Sequence, residues 1–259
     1  MGGGVVGDLA GYLAATYLRG MPFVQVPTSL TAMVDASIGG KVGVNLEEGK
    51  NLVGAFYQPR LVLTDVRALT TMPPRALREG WAEAIKHGLI LDRDLFNDFE
   101  NHVDDIKELK QPLSTDIISR SITIKADVVS RDERETLGIR TLLNYGHTIG
   151  HALEAATAYG ELLHGEAVSI GMVAAGFISQ KMGFVQENLI ERQNHVLKRF
   201  GLPTLYPNVD LELIRKAMLV DKKNKSGALT WVLLEDIGSA VLSSNVPSQL
   251  VEDALKRVT

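Results

Sequence analysis

The sequence predicts an α/β segment followed by a mainly α-helical domain, divided at residues 1–72 and 73–259. Three observations carry that reading. Before Met72, glycine-rich turns separate short apolar runs. After Pro73–Pro74, apolar residues recur at helical spacing over long stretches. Between Asn144 and Glu166, three of the six histidines fall on a helical pattern.

In chain order, Asp8–Tyr17 reads as a helix packed close to its neighbours, and Phe23–Pro27 and Leu61–Asp65 as buried strands. Pro73–Pro74 suit a helix start, where a missing N–H costs nothing. Helices are expected over Arg75–Leu91, Arg93–Asn101, Thr115–Arg134, Leu137–Ala158, Gly165–Met182, Gln186–Phe200 and Leu211–Val220. Ala228–Leu234 and Gly238–Leu242 read as a small β-hairpin, with a closing helix at Ser248–Val258. The sequence contains no internal repeat and no low-complexity tract.

The 259 residues are 45% hydrophobic, enough for a sizeable core. A net charge of -4 gives no footprint for nucleic acid. With no cysteine, disulfides and thiolate ligands are excluded, so a metal must use His, Asp or Glu. The same absence fits a reducing cytosol, and a cytoplasmic location is expected. The first residues, MGGGVVGDLAG, lack the pattern of a signal peptide, and Val6 stands where a myristoylation motif needs Ser or Thr. The longest apolar run, Ala167–Ile178, is too short for a bilayer, so a soluble protein without a membrane role is expected.

Five groups of residues carry chemistry. Gly2, Gly4 and Gly7 match G-x-G-x-x-G, whose backbone can approach a pyrophosphate at a helix N-terminus. The motif demands a preceding strand, so taken alone the run reads equally as a flexible start. In DASIGGKVGVN (35–45), Gly39–Gly40 allow close backbone approach and Lys41 can meet a phosphate. By itself this is an ordinary loop with a solvated lysine, and Lys50–Asn51 share that ambiguity. Glu83 and Lys86, three apart on one helix, either form a solvated pair or face a cleft where a carboxylate joins the histidines. Arg140, Asn144, His147 and His151 are spaced by four, three and four, a polar stripe suited to an anionic ligand beside a metal, with Lys125 and Glu135 upstream. His147, His151 and, after the Tyr159–Gly160 turn, His164 converge as imidazole ligands. Lastly, Asp221–Lys225 is a basic cluster, solvated unless one lysine reaches a phosphate.

At these residues the chain resembles the 3-dehydroquinate synthase family. The resemblance rests on GGGVVGDLAG (2–11), QVPTSLTAMVDASIGGKVGVN (25–45), KNLVGAFYQP (50–59), EGWAEAIKHG (79–88), IKADVVSRDE (124–133), LLNYGHTIGHALE (142–154) and LLHGEAVSIGM (162–172), thinning after Gly183. It implies a Rossmann-like NAD-binding portion followed by a helical metal and substrate domain. It further implies a zinc (or cobalt) ion held by Glu83, His147 and His164, which moves His151 from the ligand set to the substrate shell. Asp35, Lys41, Lys86, Lys125, Arg140, Asn144 and His151 become the implied catalytic set. Gly3, Gly4, Asp8, Thr28 and Ser29 would contact NAD, with Asp35, Lys41, Lys50 and Asn51 beside them. Ser29 replaces a second threonine but keeps the hydroxyl. One of Lys222 and Lys223 would join the substrate, and Arg19 would reach the other subunit of a homodimer.

The implied reaction is that of the shikimate pathway. A sugar phosphate, 3-deoxy-D-arabino-heptulosonate 7-phosphate, becomes 3-dehydroquinate and phosphate through transient oxidation by NAD, β-elimination, reduction and aldol closure. The family begins with a nucleotide-binding sheet ahead of the GGG turn, whereas this chain begins at that turn. The expectation is therefore an N-terminally truncated synthase, with exposed apolar sheet surface, poor solubility or dependence on association, and weakened NAD affinity. Three alternatives remain open: another sugar phosphate cyclase, a metal-dependent polyol dehydrogenase, and a non-catalytic metal-binding remnant.

Overall fold

The computed structural model describes residues 1–46, 49–207, 209–224 and 229–259, with the side chains of all these except residues 49–51 and 220–224. Along the chain come α1 (Gly4–Thr16), β1 (Val24–Gln25), β2 (Lys41–Leu46), β3 (Gly49–Phe56) and β4 (Leu61–Val62). Helices α2 (Pro74–Leu91), α3 (Arg93–Asn101), α4 (Val103–Lys107) and α5 (Leu113–Arg131) follow. Next are α6 (His147–Ala156), α7 (His164–Lys181), α8 (Glu187–Arg199) and α9 (Leu211–Asn224). The hairpin β5 (Trp231–Asp236) and β6 (Ser239–Ser243) precedes α10 (Ser248–Val258). The α/β beginning and the helical remainder agree with the sequence. Among the described residues, no helix is long and apolar enough to cross a membrane.

The chain forms two compact units, Met1–Gly80 with Gln111–Arg140, and Trp81–Lys110 with Thr141–Thr259. In the first, β1 and β4 pair in parallel through Val24/Leu61 and Gln25/Val62. The Gly2 N–H donates to the Val26 carbonyl at 3.1 Å, and the Gly2 carbonyl accepts from Thr28 at 2.9 Å. The glycine run is thus tied beside the end of β1 and opens directly into α1. A Cβ on Gly11 would stand 2.3 Å from Val42 Cγ1, so this glycine lets α1 lie against β2. The two strands were expected to be buried. Val24, Leu61 and Leu63 are instead about half exposed, because a two-stranded pair leaves their faces uncovered. The antiparallel hairpin of β2 and β3, with Lys41 opposite Phe56, occupies residues expected to form a loop.

In the second unit α7 is buried almost all round, from Gly165 to Ser179, as suits a central helix. Trp81, Phe99 and Phe200 pack edge to face, with ring centres 5.5–6.2 Å apart. Buried Tyr145 donates to Gln193 at 2.6 Å, and Gln193 donates to the Met172 carbonyl at 3.0 Å. The helix expected over 137–158 is broken. Residues Arg140–Asn144 form a 3₁₀ turn, Gly146 takes φ +80, and α6 starts only at His147. A left-handed glycine ends a helical path, so Arg140, Asn144, His147 and His151 are not one stripe on one helix.

A candidate metal centre and a charged cleft

The metal centre is assembled from three helices of the second unit. Helix α2 carries Glu83 and Lys86, α6 carries His147 and His151 one turn apart, and α7 begins with His164. What brings the last two helices together is glycine. A Cβ on Gly171 of α7 would stand 1.9 Å from the Gly146 carbonyl oxygen, and one on Gly150 of α6 would meet the Ala167 carbonyl at 3.1 Å. Only hydrogen at Gly171 permits such a crossing, and a side chain at Gly150 would press the two helices apart by a few tenths of an ångström. Glu166 accepts from the Leu163 N–H at 2.9 Å, closing the first turn of α7 and fixing His164 at its start. The ring centres of His147 and His164 end 5.4 Å apart.

Glu83 is fully buried. Its Oε2 accepts from buried Lys86. Its Oε1 has no hydrogen-bond partner among the described residues, yet lies 3.6 Å from His147 Nε2 and 3.5 Å from His164 Nε2. A buried, unsatisfied carboxylate oxygen facing two imidazole nitrogens is costly unless something bridges them. The three residues offer donor atoms within 4.8 Å of one another, which fits a divalent ion of the His₂-carboxylate type. Burial would raise the Glu83 carboxyl, but Lys86, His147 and His164 together hold it well below the ordinary range. Burial, reinforced by Lys86, keeps His147 well below its ordinary value against the pull of Glu83. Burial would also lower His164, but the carboxylates of Glu154 and Glu83 close to its two ring nitrogens outweigh that and push it up to about 10.

The first unit holds a cleft of about 440 Å³, lined in part by Asp8, Asp35, Lys41, Lys125 and Arg140, with Val42 and Phe56 on its apolar side. Lys125 is buried and donates to both the side chain and the carbonyl of Asp35. Buried Arg140 is held by two carbonyls, Gly39 at 3.1 Å and Glu133 at 2.8 Å. Gly39 has φ +104, and a Cβ there would meet Arg140 Nη2 at 2.4 Å, so the guanidinium needs this glycine. The Asp132 carboxylate accepts from the N–H groups of Thr136, Leu137 and Arg140, folding the segment that presents Arg140. Lys41 pairs with Glu135 at the surface. Burial and the neighbouring Asp35 raise Asp8 to about 6, against the opposing pull of Lys125.

The structure therefore gathers Asp8, Asp35, Lys41, Lys125 and Arg140 in one cleft, and Glu83, Lys86, His147 and His164 in one centre, with the exposed His151 ring 5.0 Å from that of His147. Gly3 and Gly4 form the start of α1, where a Cβ on Gly3 would meet Ser29 Oγ at 3.4 Å; Thr28 is tied to the same turn. Asn144 lines a narrow crevice with Thr148, Ile149 and Trp231. Arg19 is exposed, with a left-handed backbone. The side chains of Lys50, Asn51, Lys222 and Lys223 lie outside the described residues. Sequence reasoning missed Glu154, whose Oε2 lies 3.4 Å from His164 Nδ1. Its spacing, seven after His147 and three after His151, was the available signal.

Residues 1–79 match the family model for the 3-dehydroquinate synthase N-terminal region, and residues 80–224 the model for its C-terminal region. A 3-dehydroquinate synthase from Nostoc punctiforme is 51% identical over 99% of this chain and 71% of its own length. One from Nitrosospira multiformis is 48% identical over 100% of this chain and 70% of its own length. Among solved structures, 2-epi-5-epi-valiolone synthase from Streptomyces hygroscopicus, with NAD+ and Zn2+ bound, superposes with a TM-score of 0.92 at 33% identity, covering 100% of this chain and 72% of that one. A 2-deoxy-scyllo-inosose synthase complexed with carbaglucose-6-phosphate, NAD+ and Co2+ gives 0.86 at 33% identity, covering 100% and 73%. With relatives this similar across nearly its whole length, the chain belongs to the 3-dehydroquinate synthase family.

Proposed function

We propose that this chain carries out the synthase reaction, turning 3-deoxy-D-arabino-heptulosonate 7-phosphate into 3-dehydroquinate and phosphate. The observation that carries the reading is the donor set of Glu83, His147 and His164, with one buried carboxylate oxygen left for an ion. These three residues would hold a zinc or cobalt ion, and relatives crystallised with Zn2+ or Co2+ support that choice. When bound, the metal supplies a Lewis acid for a substrate hydroxyl, and NAD supplies reversible hydride chemistry.

The chain's own residues do the rest. Arg140, fixed by two carbonyls, and Lys125, paired with Asp35, suit the substrate carboxylate. Lys41, Lys86, Asn144 and His151 balance charge as phosphate departs. Gly3, Gly4, Asp8, Thr28 and Ser29 orient NAD at the start of α1, with Lys50 and Asn51 beside it. In this reading residues 1–72 are the nucleotide-binding part and 73–259 the metal and substrate part. The working form is a cytoplasmic homodimer, and the cysteine-free composition suits that compartment.

A second reading has a specific observation behind it, because the two solved structures above are synthases of other products, one of them complexed with carbaglucose-6-phosphate. The synthase reading is favoured by Arg140 and Lys125, suited to a carboxylate that glucose 6-phosphate and sedoheptulose 7-phosphate lack. The test is phosphate release from each of the three substrates by zinc-loaded protein, with and without NAD. NAD-dependent release from the heptulosonate alone supports the proposal. Turnover of a neutral sugar phosphate instead moves the chain to another cyclase activity. No release from a folded, zinc-loaded protein leaves it a metal-binding remnant.

A further inference from the structure

We propose that Glu154 is a positioning residue for the metal centre: its carboxylate takes the Nδ1 hydrogen of His164 and so aims the Nε2 lone pair at the ion. The proposal rests on the metal reading above. His164 has a carboxylate on each side. Nδ1 lies 3.4 Å from Glu154 Oε2, and Nε2 lies 3.5 Å from Glu83 Oε1. Glu154 is only 4% exposed, so this carboxylate is lodged in the interior rather than solvated.

His147 is built on the same plan. Its Nδ1 lies 3.2 Å from the Tyr145 carbonyl oxygen, and its Nε2 lies 3.6 Å from the same Glu83 Oε1. A carbonyl oxygen only accepts, so the His147 hydrogen belongs on Nδ1 and the lone pair on Nε2. The two imidazoles thus present the same nitrogen to the same carboxylate oxygen, each with an acceptor behind it. Such backing acceptors fix the tautomer and ring orientation of a ligating histidine and raise its basicity. Helix α6 therefore contributes twice. It supplies His147 as a ligand, and two turns later it supplies the group that holds the ligand from α7 in place.

One competing arrangement must be separated. His151, Glu154 and His164 also have donor atoms close enough to hold an ion. If Glu154 were itself a ligand there, either His164 would bridge two ions as an imidazolate or a single ion would sit in that group. A single zinc held by Glu83→Gln as tightly as by the wild type would overturn the proposal. The experiment measures zinc affinity and stoichiometry by competition with a chromogenic chelator for the wild-type chain and for Glu83→Gln, Glu154→Gln and Glu154→Ala. Alongside it, the His164 Nδ1–H resonance is recorded in ¹⁵N-labelled, zinc-loaded wild-type protein, which keeps the test alive if a variant fails to fold.

The expected result is one zinc per wild-type chain, with a slowly exchanging His164 Nδ1–H. Zinc binding should weaken roughly 10–100-fold in Glu154→Ala and less in Glu154→Gln, which keeps an acceptor. Glu154→Ala with wild-type affinity, while Glu83→Gln has lost zinc, would overturn the proposal and leave the metal reading intact. Two zinc ions per chain, the second lost in Glu154→Ala, would also overturn it. If neither the wild type nor Glu83→Gln binds zinc, the metal reading falls first and the positioning role with it.

Discussion

Lys86 donates to one oxygen of Glu83, and the other oxygen of that carboxylate faces the imidazoles of His147 and His164. Both members of the pair are buried, so each is the other's compensation in an interior that solvates charge poorly. Lys86→Met removes the cation and leaves the carboxylate. The expected cost in metal-free protein is about 3–5 kcal/mol by chemical denaturation. Saturating zinc should recover part of it, because an ion would replace the missing charge. A loss below about 1 kcal/mol would show that Glu83 does not depend on this lysine.

The donor set separates two histidines on one helix face. His147→Ala should abolish the rise in melting temperature that zinc gives the wild type, since that rise follows metal affinity. His151→Ala should keep it, because His151 is exposed and stands outside the Glu83 group. Equal zinc-induced shifts in the two variants would contradict this ligand assignment.

The crossing of α6 and α7 allows no side chain at Gly171. The Cβ of Gly171→Ala would lie 1.9 Å from a main-chain oxygen, which cannot rotate away. The expected outcome is a loss of about 3 kcal/mol or more, with weakened zinc binding as His147 and His164 separate. Gly160→Ala, whose Cβ would meet only one atom at 3.9 Å, is the control and should stay within about 0.5 kcal/mol. Thermal melts of both variants decide the matter.

Asp8 gives a pH dependence with a defined sign. Its folded value of about 6 lies above the ordinary 3.8, so the folded protein binds this proton more tightly than the unfolded chain. The group's favourable contribution is complete below pH 3.8 and is lost as pH rises through about 6. Asp8→Asn should match the wild type near pH 4 and exceed it above pH 7. After discounting for the partial exposure of the carboxyl, the gain is on the order of 1 kcal/mol. Denaturation at both pH values tests this, and a gap that is the same at each would refute it.

What the sequence disclosed depended on where the information lay. Helix α3 was legible to the residue over Arg93–Asn101, because Asp92 caps it locally, accepting from Leu95 N–H at 3.1 Å. The hairpin of β2 and β3 was not, since Gly43 and Gly54 look like loop residues. Each instead faces the opposite strand's backbone, where a Cβ would come within 2.5–2.9 Å of a carbonyl oxygen. The break before α6 was hidden for a related reason: a glycine inside a helical pattern does not reveal the sign of its φ. In the candidate centre, the histidines announced themselves by spacing. Glu83 lies far upstream and only a fold can bring it to them, so the residues alone left it between a solvated pair and a ligand, and family resemblance decided. Glu154 sat at helical spacing in plain view but lacked a reason to be chosen until its distance to His164 was known.

The contact of Gly171 with the Gly146 carbonyl also bears on how this centre tolerates change. Side-chain packing can be retuned by exchanging one aliphatic residue for another, but two backbones this close have no side chain between them to exchange. The spacing of His147 and His164 is thereby referenced to a hard stop rather than to the surrounding core. Drift among the apolar residues that wrap α7 would then alter how firmly the protein holds together while leaving the gauge between its two imidazoles unchanged.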